Sequence, residues 1–321
     1  MLSRIADSMY WMARYLERAE NNARLLHVQE ANSLEALEDL LIDPSWEPVL
    51  AITGEKENFF RHFDSVSVEN VSTYMIFLEQ NANSVFTCVN RARENARWVR
   101  ERLPSEIWEA INEFYWELVD FRNQRLMVSH HLPELFMCIR NYIFRIYGAV
   151  QACMPHTEEH HFLYLGMNLE RAEKTSRILD VRYHLYVRHP DEMPLVDTHH
   201  WVNILRSTSA FEAYLKKYHS HLTPKNVIAY LVFDADFPRS MRYSMREVRE
   251  AAARLLQPGS NASSHPCYRA LGRLVSQLEY SDVDELLQQG LHRHLTDFQR
   301  ECSRIGDWIQ KSLILQEMEW I

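Results

Sequence analysis

Glycine is scarce in this chain: seven occur among 321 residues. Strand-rich and mixed folds use glycine for tight turns and left-handed backbone, so this scarcity leans the chain towards helices. No run of 18 apolar residues exists, and Arg4, Asp7 and Arg14 fall where a leader peptide would be apolar. The expectation is therefore a chain without a signal sequence or a membrane span. The five cysteines (Cys88, Cys138, Cys153, Cys267 and Cys302) include no C-x-x-C pair, which reads as reduced thiols and a cytoplasmic location. Basic excess is missing too: the net charge of −9 argues against a nucleic-acid binder, which needs a cationic face. Phosphate-binding glycine loops and the G-x-S-x-G elbow are absent, and no cysteine stands in a nucleophile context.

What remains is helical periodicity. Ile5, Met9, Met12, Leu16, Ala19, Ala23 and Leu26 recur at spacings of three and four, predicting one helix over residues 3–32. Further helices are expected over 70–103, from Ser105, from Pro133 (apolar on most sides, hence central to the core) and over 157–185. They continue over 197–218, from Pro224 behind the N-cap Thr223, from Pro238 to about Gln257, and over 282–319. The stretch "PGSNASSHP" reads as a loop, and nothing alternates with period two. The fold class is all-α, a bundle of long helices.

One pattern is written more than once. "YLERAENNARLL" (15–26) returns as "NLERAEKTSRIL" (168–179), 153 residues on, with weaker traces in "NRARENARWV" (90–99) and "REVREAAARLL" (246–256). The spacings of 73, 80 and 77 residues suit pairs of long helices and suggest an internal duplication within one helical domain spanning 1–321, with pseudo-repeats 1–155 and 156–321.

Helix geometry separates Glu17 from Arg18 by about 100°, so they are not each other's partners. Glu17 shares a face with Tyr10, Arg14, Asn21 and Arg24; the third copy offers Glu170, Lys174 and Arg177, with Arg171 alongside. Two readings follow. In the first, reciprocal ion pairs clamp the copies together, Glu17 reaching Arg177 or Arg171 and Glu170 reaching Arg24 or Arg18. In the second, arginines line a cleft for a carboxylate or phosphate, with Glu17 or Glu170 as general base. The clamp, with a ligand surface at its edge, is the preferred reading.

Other constellations carry less. "FDADFPRS" places Asp234 and Asp236 before Arg239. It reads either as a turn in which Asp236 caps the next helix or as an anion-binding loop. No metal site is expected. Glu158-x-x-His161 lacks the second Glu-x-x-His of a di-iron bundle, which leaves His156, His160 and His161, or His199 and His200 with Asp197, as weak candidates.

"RIADSMYWMARYLERAENNARLL", "RARENARWVRERLPSEIWEAIN", "LGMNLERAEKTSRILDVRY" and "FDADFPRSM" together resemble the bacterial alpha-E family. That family is a large helical domain named for its Glu-Arg motif. Glu17-Arg18 and Glu170-Arg171 match the motif in full, while Asn90 stands where the second copy would carry Glu. The resemblance implies company with a circularly permuted ATP-grasp protein and a transglutaminase-like protein. It also implies a part in making or modifying a peptide through amide-bond formation. The nucleotide chemistry would then sit in the partner, and this chain would need no cofactor of its own. The alternatives are an enzyme in its own right, with Arg14, Arg18, Arg24, Arg171, Arg177 or Arg239 binding an anionic substrate, and a purely structural or interaction protein; self-association into a homo-oligomer stays open under each reading.

Overall fold

The computed structural model describes residues 2–38, 45–124, 128–188, 194–219, 221–256 and 266–314. Helices are the regular structure throughout, and no strand occurs among the described residues. The chain divides into two compact bodies. Helix α1 (Ser3–Glu38) contributes to both: residues up to Arg14 belong to one body, and those from Tyr15 to the other.

The body holding residues 15–154 also takes 192–199. Here α2 (Glu47–Thr53) and α3 (Lys56–Phe59) precede α4 (Val68–Ile76), α5 (Val85–Trp98), α6 (Ser105–Asn123) and α7 (Leu132–Cys153). Consecutive helices α5, α6 and α7 pack side by side. Helix α6 buries Ile107, Ala110, Ile111, Phe114 and Leu118, a stripe at spacings of three and four that faces its two neighbours.

The long helix expected over 70–103 is two helices. Asn81 donates its side-chain amide to the Tyr74 carbonyl at 3.0 Å, satisfying one of the acceptors that the end of α4 leaves open. Ser84 then caps α5 by accepting from the Thr87 amide. Helix α7 also differs from its expectation. Leu135, Phe136, Ile139, Ile143, Ile146 and Val150 are buried on one face, while Met137 and Phe144 stand exposed on the other. It is an outer amphipathic helix.

The second body is built on α8 (Glu158–Arg188). The remaining helices are α9 (Pro194–Ser207), α10 (Phe211–Tyr218), α11 (Pro224–Phe233), α12 (Met241–Leu255), α13 (Pro266–Tyr280), α14 (Val283–Gln289) and α15 (Leu291–Trp308). Helix α9 begins in the first body and enters the second at His200. Helices α12 and α15 pack on α8, and α13 packs on both α12 and α15. Helix α8 is the deeply embedded one. Leu163, Leu165, Leu169, Ala172, Ile178 and Leu179 are buried, and so are Asn168, Glu170, Lys174, Thr175, Ser176 and Arg182.

Two more expected helices are interrupted. The segment 197–218 breaks where Ser209 adopts φ 53°, and the Ala210 amide turns back to the Leu205 carbonyl. The segment 282–319 breaks at Gly290, whose φ of 97° suits a residue without Cβ. Residues 315–319 and all of the expected loop 258–266 but Pro266, which opens α13, lie outside the described residues. Thr223 caps α11, as its sequence suggests. The cap of α12 is Ser240, not Asp236, because the turn after α11 runs on to residue 240 before the helix starts.

Candidate functional site

The Glu-Arg helix of the third copy meets the first turns of α1 inside the second body. Arg14 is the hub. Its Nε donates to Glu170 Oε2 at 2.8 Å, one terminal nitrogen to Glu173 Oε2 at 3.0 Å, and the other to the Tyr10 hydroxyl at 3.1 Å. The guanidinium also lies 5.3 Å from the Trp11 ring centre. Arg177 binds the other oxygen of Glu173, at 3.2 and 3.0 Å, so Glu173 bridges two arginines. Glu170 is 1% exposed.

Two of the chain's few glycines shape this cluster. A Cβ on Gly166 would lie 2.2 Å from the Tyr10 carbonyl oxygen, so α8 and α1 touch backbone to backbone there. Gly306 of α15 faces the Tyr10 hydroxyl and Arg14 at about 3.6–3.7 Å. The electrostatics follow from this enclosure. Burial opposes the charge on Arg14, but Tyr10, Glu170 and Glu173 outweigh it and hold the guanidinium well above its usual range. Burial raises the Tyr10 phenol against the opposing pull of Arg14, so it remains a neutral donor and acceptor. Cys302, buried beside the cluster, is raised well above an ordinary thiol, chiefly by burial, which makes it a poor nucleophile.

The first copy occupies the other body. Glu17 is fully buried and accepts from the Tyr147 hydroxyl at 3.0 Å and from Asn21 at 3.5 Å. Arg24 is buried with Glu20 and Asn21, donating to both. Arg18 points elsewhere, donating at 2.9 Å to Asn83. The Asn83 amide meets Glu55, whose other oxygen accepts from the Tyr74 hydroxyl at 2.7 Å.

One pairing repeats in both copies. The second Glu of "LERAE" accepts from the Arg four residues on: Glu20 from Arg24, and Glu173 from Arg177. This spacing places carboxylate and guanidinium on one helix face. Glu20 and Glu173 were not singled out in the sequence, although the repeat of Glu at both positions was a visible signal. Tyr147, Asn83 and Glu55 carried no such signal, because only tertiary packing brings them to α1.

The remaining candidates scatter. Arg171 is half-buried near Tyr164 and Tyr243, where its charge opposes the burial that raises both phenols. Arg239 is half-buried, and its carbonyl accepts from Thr175 at 2.8 Å. Asp234 is buried and accepts from the amides of Asp236 and Phe237 at 2.9 and 2.7 Å and from Lys217. Burial pushes its carboxyl up, but Lys217 and the two amides outweigh that and hold it below the usual range. Asp236 is exposed.

His156 and His160 stack ring on ring at 4.2 Å, and His160 stacks on Tyr164 at 4.3 Å, so their faces rather than their nitrogens meet. His199 lies 3.4 Å from Glu35, while burial and Arg182 lower His200 to about 3. The Asp197 side chain lies outside the described residues. Among the described residues, no group of three or more His, Cys, Asp or Glu side chains is placed to hold a metal ion. No helix there is long and apolar enough to cross a membrane.

Comparison with known proteins agrees with this helical, motif-centred picture. An uncharacterized protein of Mycobacterium bovis is 22% identical over 328 residues, covering 92% of this chain and 34% of the relative. An uncharacterized protein of Mycobacterium tuberculosis matches with the same figures, so the chain spans about a third of the length of the curated relatives it matches. No solved structure matches the chain. The model of the Alpha-E family, described as a predicted alpha-helical domain with a conserved ER motif, matches residues 1–313, and the chain belongs to that family.

Proposed function

We propose that this chain is a helical accessory protein of an ATP-grasp-type amide-ligase system, recognising a peptide or amino-acid substrate or docking the ligase. The observation that carries this reading is the condition of the motif carboxylate Glu170. It is ion-paired to Arg14 at 2.8 Å and 1% exposed. A general base needs a lone pair within reach of the proton it abstracts. Glu170 instead spends an oxygen on holding α8 to the start of α1, and Glu173 is spent on two arginines. With structural carboxylates and no nucleotide-binding loop in the sequence, the bond-forming chemistry is assigned to the partner. The proposed partners are the circularly permuted ATP-grasp protein and the transglutaminase-like protein that the family resemblance implies.

The test is reconstitution. The ATP-grasp protein would be assayed for ATP-dependent amide formation with and without the full chain, and for co-elution with it. A several-fold loss of ligation in its absence is expected. Ligation that proceeds unchanged without the chain, together with separate elution, overturns the proposal.

A further inference from the structure

An open cavity of about 710 Å³ lies within the second body, between α13 and α15. It is amphipathic by construction. Ala270, Leu274 and Phe298 form an apolar floor, because they sit at the edge of the stripes by which α13 and α15 pack together. Charged side chains stand on the walls. Most are satisfied within α15: Asp297 accepts from Arg300 at 2.8 Å and lies 3.9 Å from Arg293, and Glu301 accepts from Arg304 at 2.6 Å.

Arg273, on the α13 wall, is different. It is exposed, and among the described residues it has no acidic partner. With both acids on the opposite wall taken by arginines of their own helix, its charge is uncompensated in the groove. On the α15 wall, Nε2 of His294 is buried without a hydrogen-bond partner among the described residues. Arg304 stacks on Trp308 at 5.1 Å, leaving a planar surface at the end of the groove. An unpaired guanidinium, an unsatisfied imidazole nitrogen and an apolar floor are complementary to one kind of molecule. It bears a carboxylate, an amide and small side chains.

We propose that the groove between α13 and α15 binds the C-terminal end of a short peptide. Arg273 takes the carboxylate, His294 a backbone amide, and the Leu274–Phe298 floor the side chains. The volume suits a few residues rather than one amino acid. The identity of this peptide as the ligase's substrate rests on the accessory role proposed above, whereas the binding itself does not.

The test uses the full chain alone, without ligase. It would be incubated with a library of N-acetylated tripeptides as free acids, and with the same library as C-terminal amides, and retained species read by mass spectrometry. Free acids should be retained at least tenfold better than amides. Arg273→Gln should abolish that preference without shifting the melting temperature, since its side chain is exposed. Arg269→Gln, one turn away on the same helix and outside this groove, should leave it intact. Equal retention of acids and amides, a preference that survives R273Q, or displacement by inorganic phosphate at equal concentration overturns the assignment. A free-acid preference in a chain that leaves ligation unaffected removes the accessory role and keeps this site. Dependence of ligation on the chain with no such preference does the reverse.

Discussion

Arg14 and Glu170, 156 positions apart in the chain, form a buried ion pair at 2.8 Å that ties the beginning of α1 to the middle of α8. Removing one member of a buried pair costs about 3–5 kcal/mol when the other charge is left uncompensated; without Glu170, Arg14 keeps Glu173 at 3.0 Å, so the cost falls towards the lower end of that range. Glu170→Ala is therefore expected to lower stability by that order in urea unfolding. The double replacement Arg14→Met with Glu170→Leu should recover part of the loss, because an apolar pair of similar volume avoids desolvating two charges while Glu173 keeps Arg177. A single-mutant loss under about 1 kcal/mol would show that the pair does not hold the helices.

The two glycines beside this cluster should respond in opposite directions. Gly166→Ala places a methyl 2.2 Å from a backbone oxygen, which cannot swing aside, so α8 and α1 must separate. A loss of at least about 1–3 kcal/mol is expected. Gly306→Ala meets its nearest atom at 3.6 Å, an ordinary contact, and removes a helix-interior glycine. It should be neutral or stabilising by up to about 1 kcal/mol. Equal effects of the two in thermal melts would contradict the close helix crossing.

His160 is expected to be one source of acid sensitivity, beside His200, which burial and Arg182 lower further. Burial, helped by the neighbouring His156 and His161, lowers His160 to about 4 from 6.5, and neither of its ring nitrogens has a partner among the described residues. The unfolded chain therefore binds a proton that the folded chain refuses. The stability contribution is whole above pH 6.5 and drains away as the pH falls towards 4. His160→Leu should hold its stability at pH 7 and lose on the order of 1–3 kcal/mol less than the parent between pH 7 and pH 4. Parallel pH profiles of the two proteins would refute this.

Asp234 and Lys217 titrate at opposite ends of the scale. The folded Asp234 carboxyl is depressed, so its contribution exists above about pH 3.9 and disappears as the pH falls through the lower folded value. Lys217 is raised chiefly by its hydrogen bond to Asp234, so its share is present below about pH 10.4 and is lost as the pH climbs through the folded value. Asp234→Ala abandons two backbone amides as well as the lysine, and about 1–3 kcal/mol of destabilisation at pH 7 is expected. Lys217→Ala removes a half-exposed partner and should cost under about 1 kcal/mol. Chemical denaturation of both variants at pH 7 and pH 3 reads the difference.

Much of the helical layout was legible in the residues. Pro224 behind Thr223, Ser105 after Pro104 and the apolar stripe from Ile5 to Leu26 all begin or carry helices where their chemistry says they should. The errors in helix length are of one kind. Segments 70–103, 197–218 and 282–319 have helical composition throughout, and each is broken by a local cap or a left-handed residue: Asn81 and Ser84, Ser209, and Gly290. Helix periodicity continues across such breaks because each new helix keeps its apolar face to the same core, so a period count does not register them.

The site divides along the same line. The sequence alone settles the helical class, the family and the repeated i, i+4 Glu-to-Arg spacing, since these depend on local geometry and on the order of residues. Which charge each motif residue meets is decided by the tertiary structure. Equivalent glutamates diverge: Glu170 receives Arg14, while Glu17 receives the Tyr147 hydroxyl. Arg14 has no counterpart in the third copy, where Met167 stands, and Tyr147 arrives from a separate helix. Partners more than a hundred residues apart leave no trace in local spacing. Only the packing of α8 against α1, close enough to need glycine at 166, selects among carboxylates that look alike in the chain.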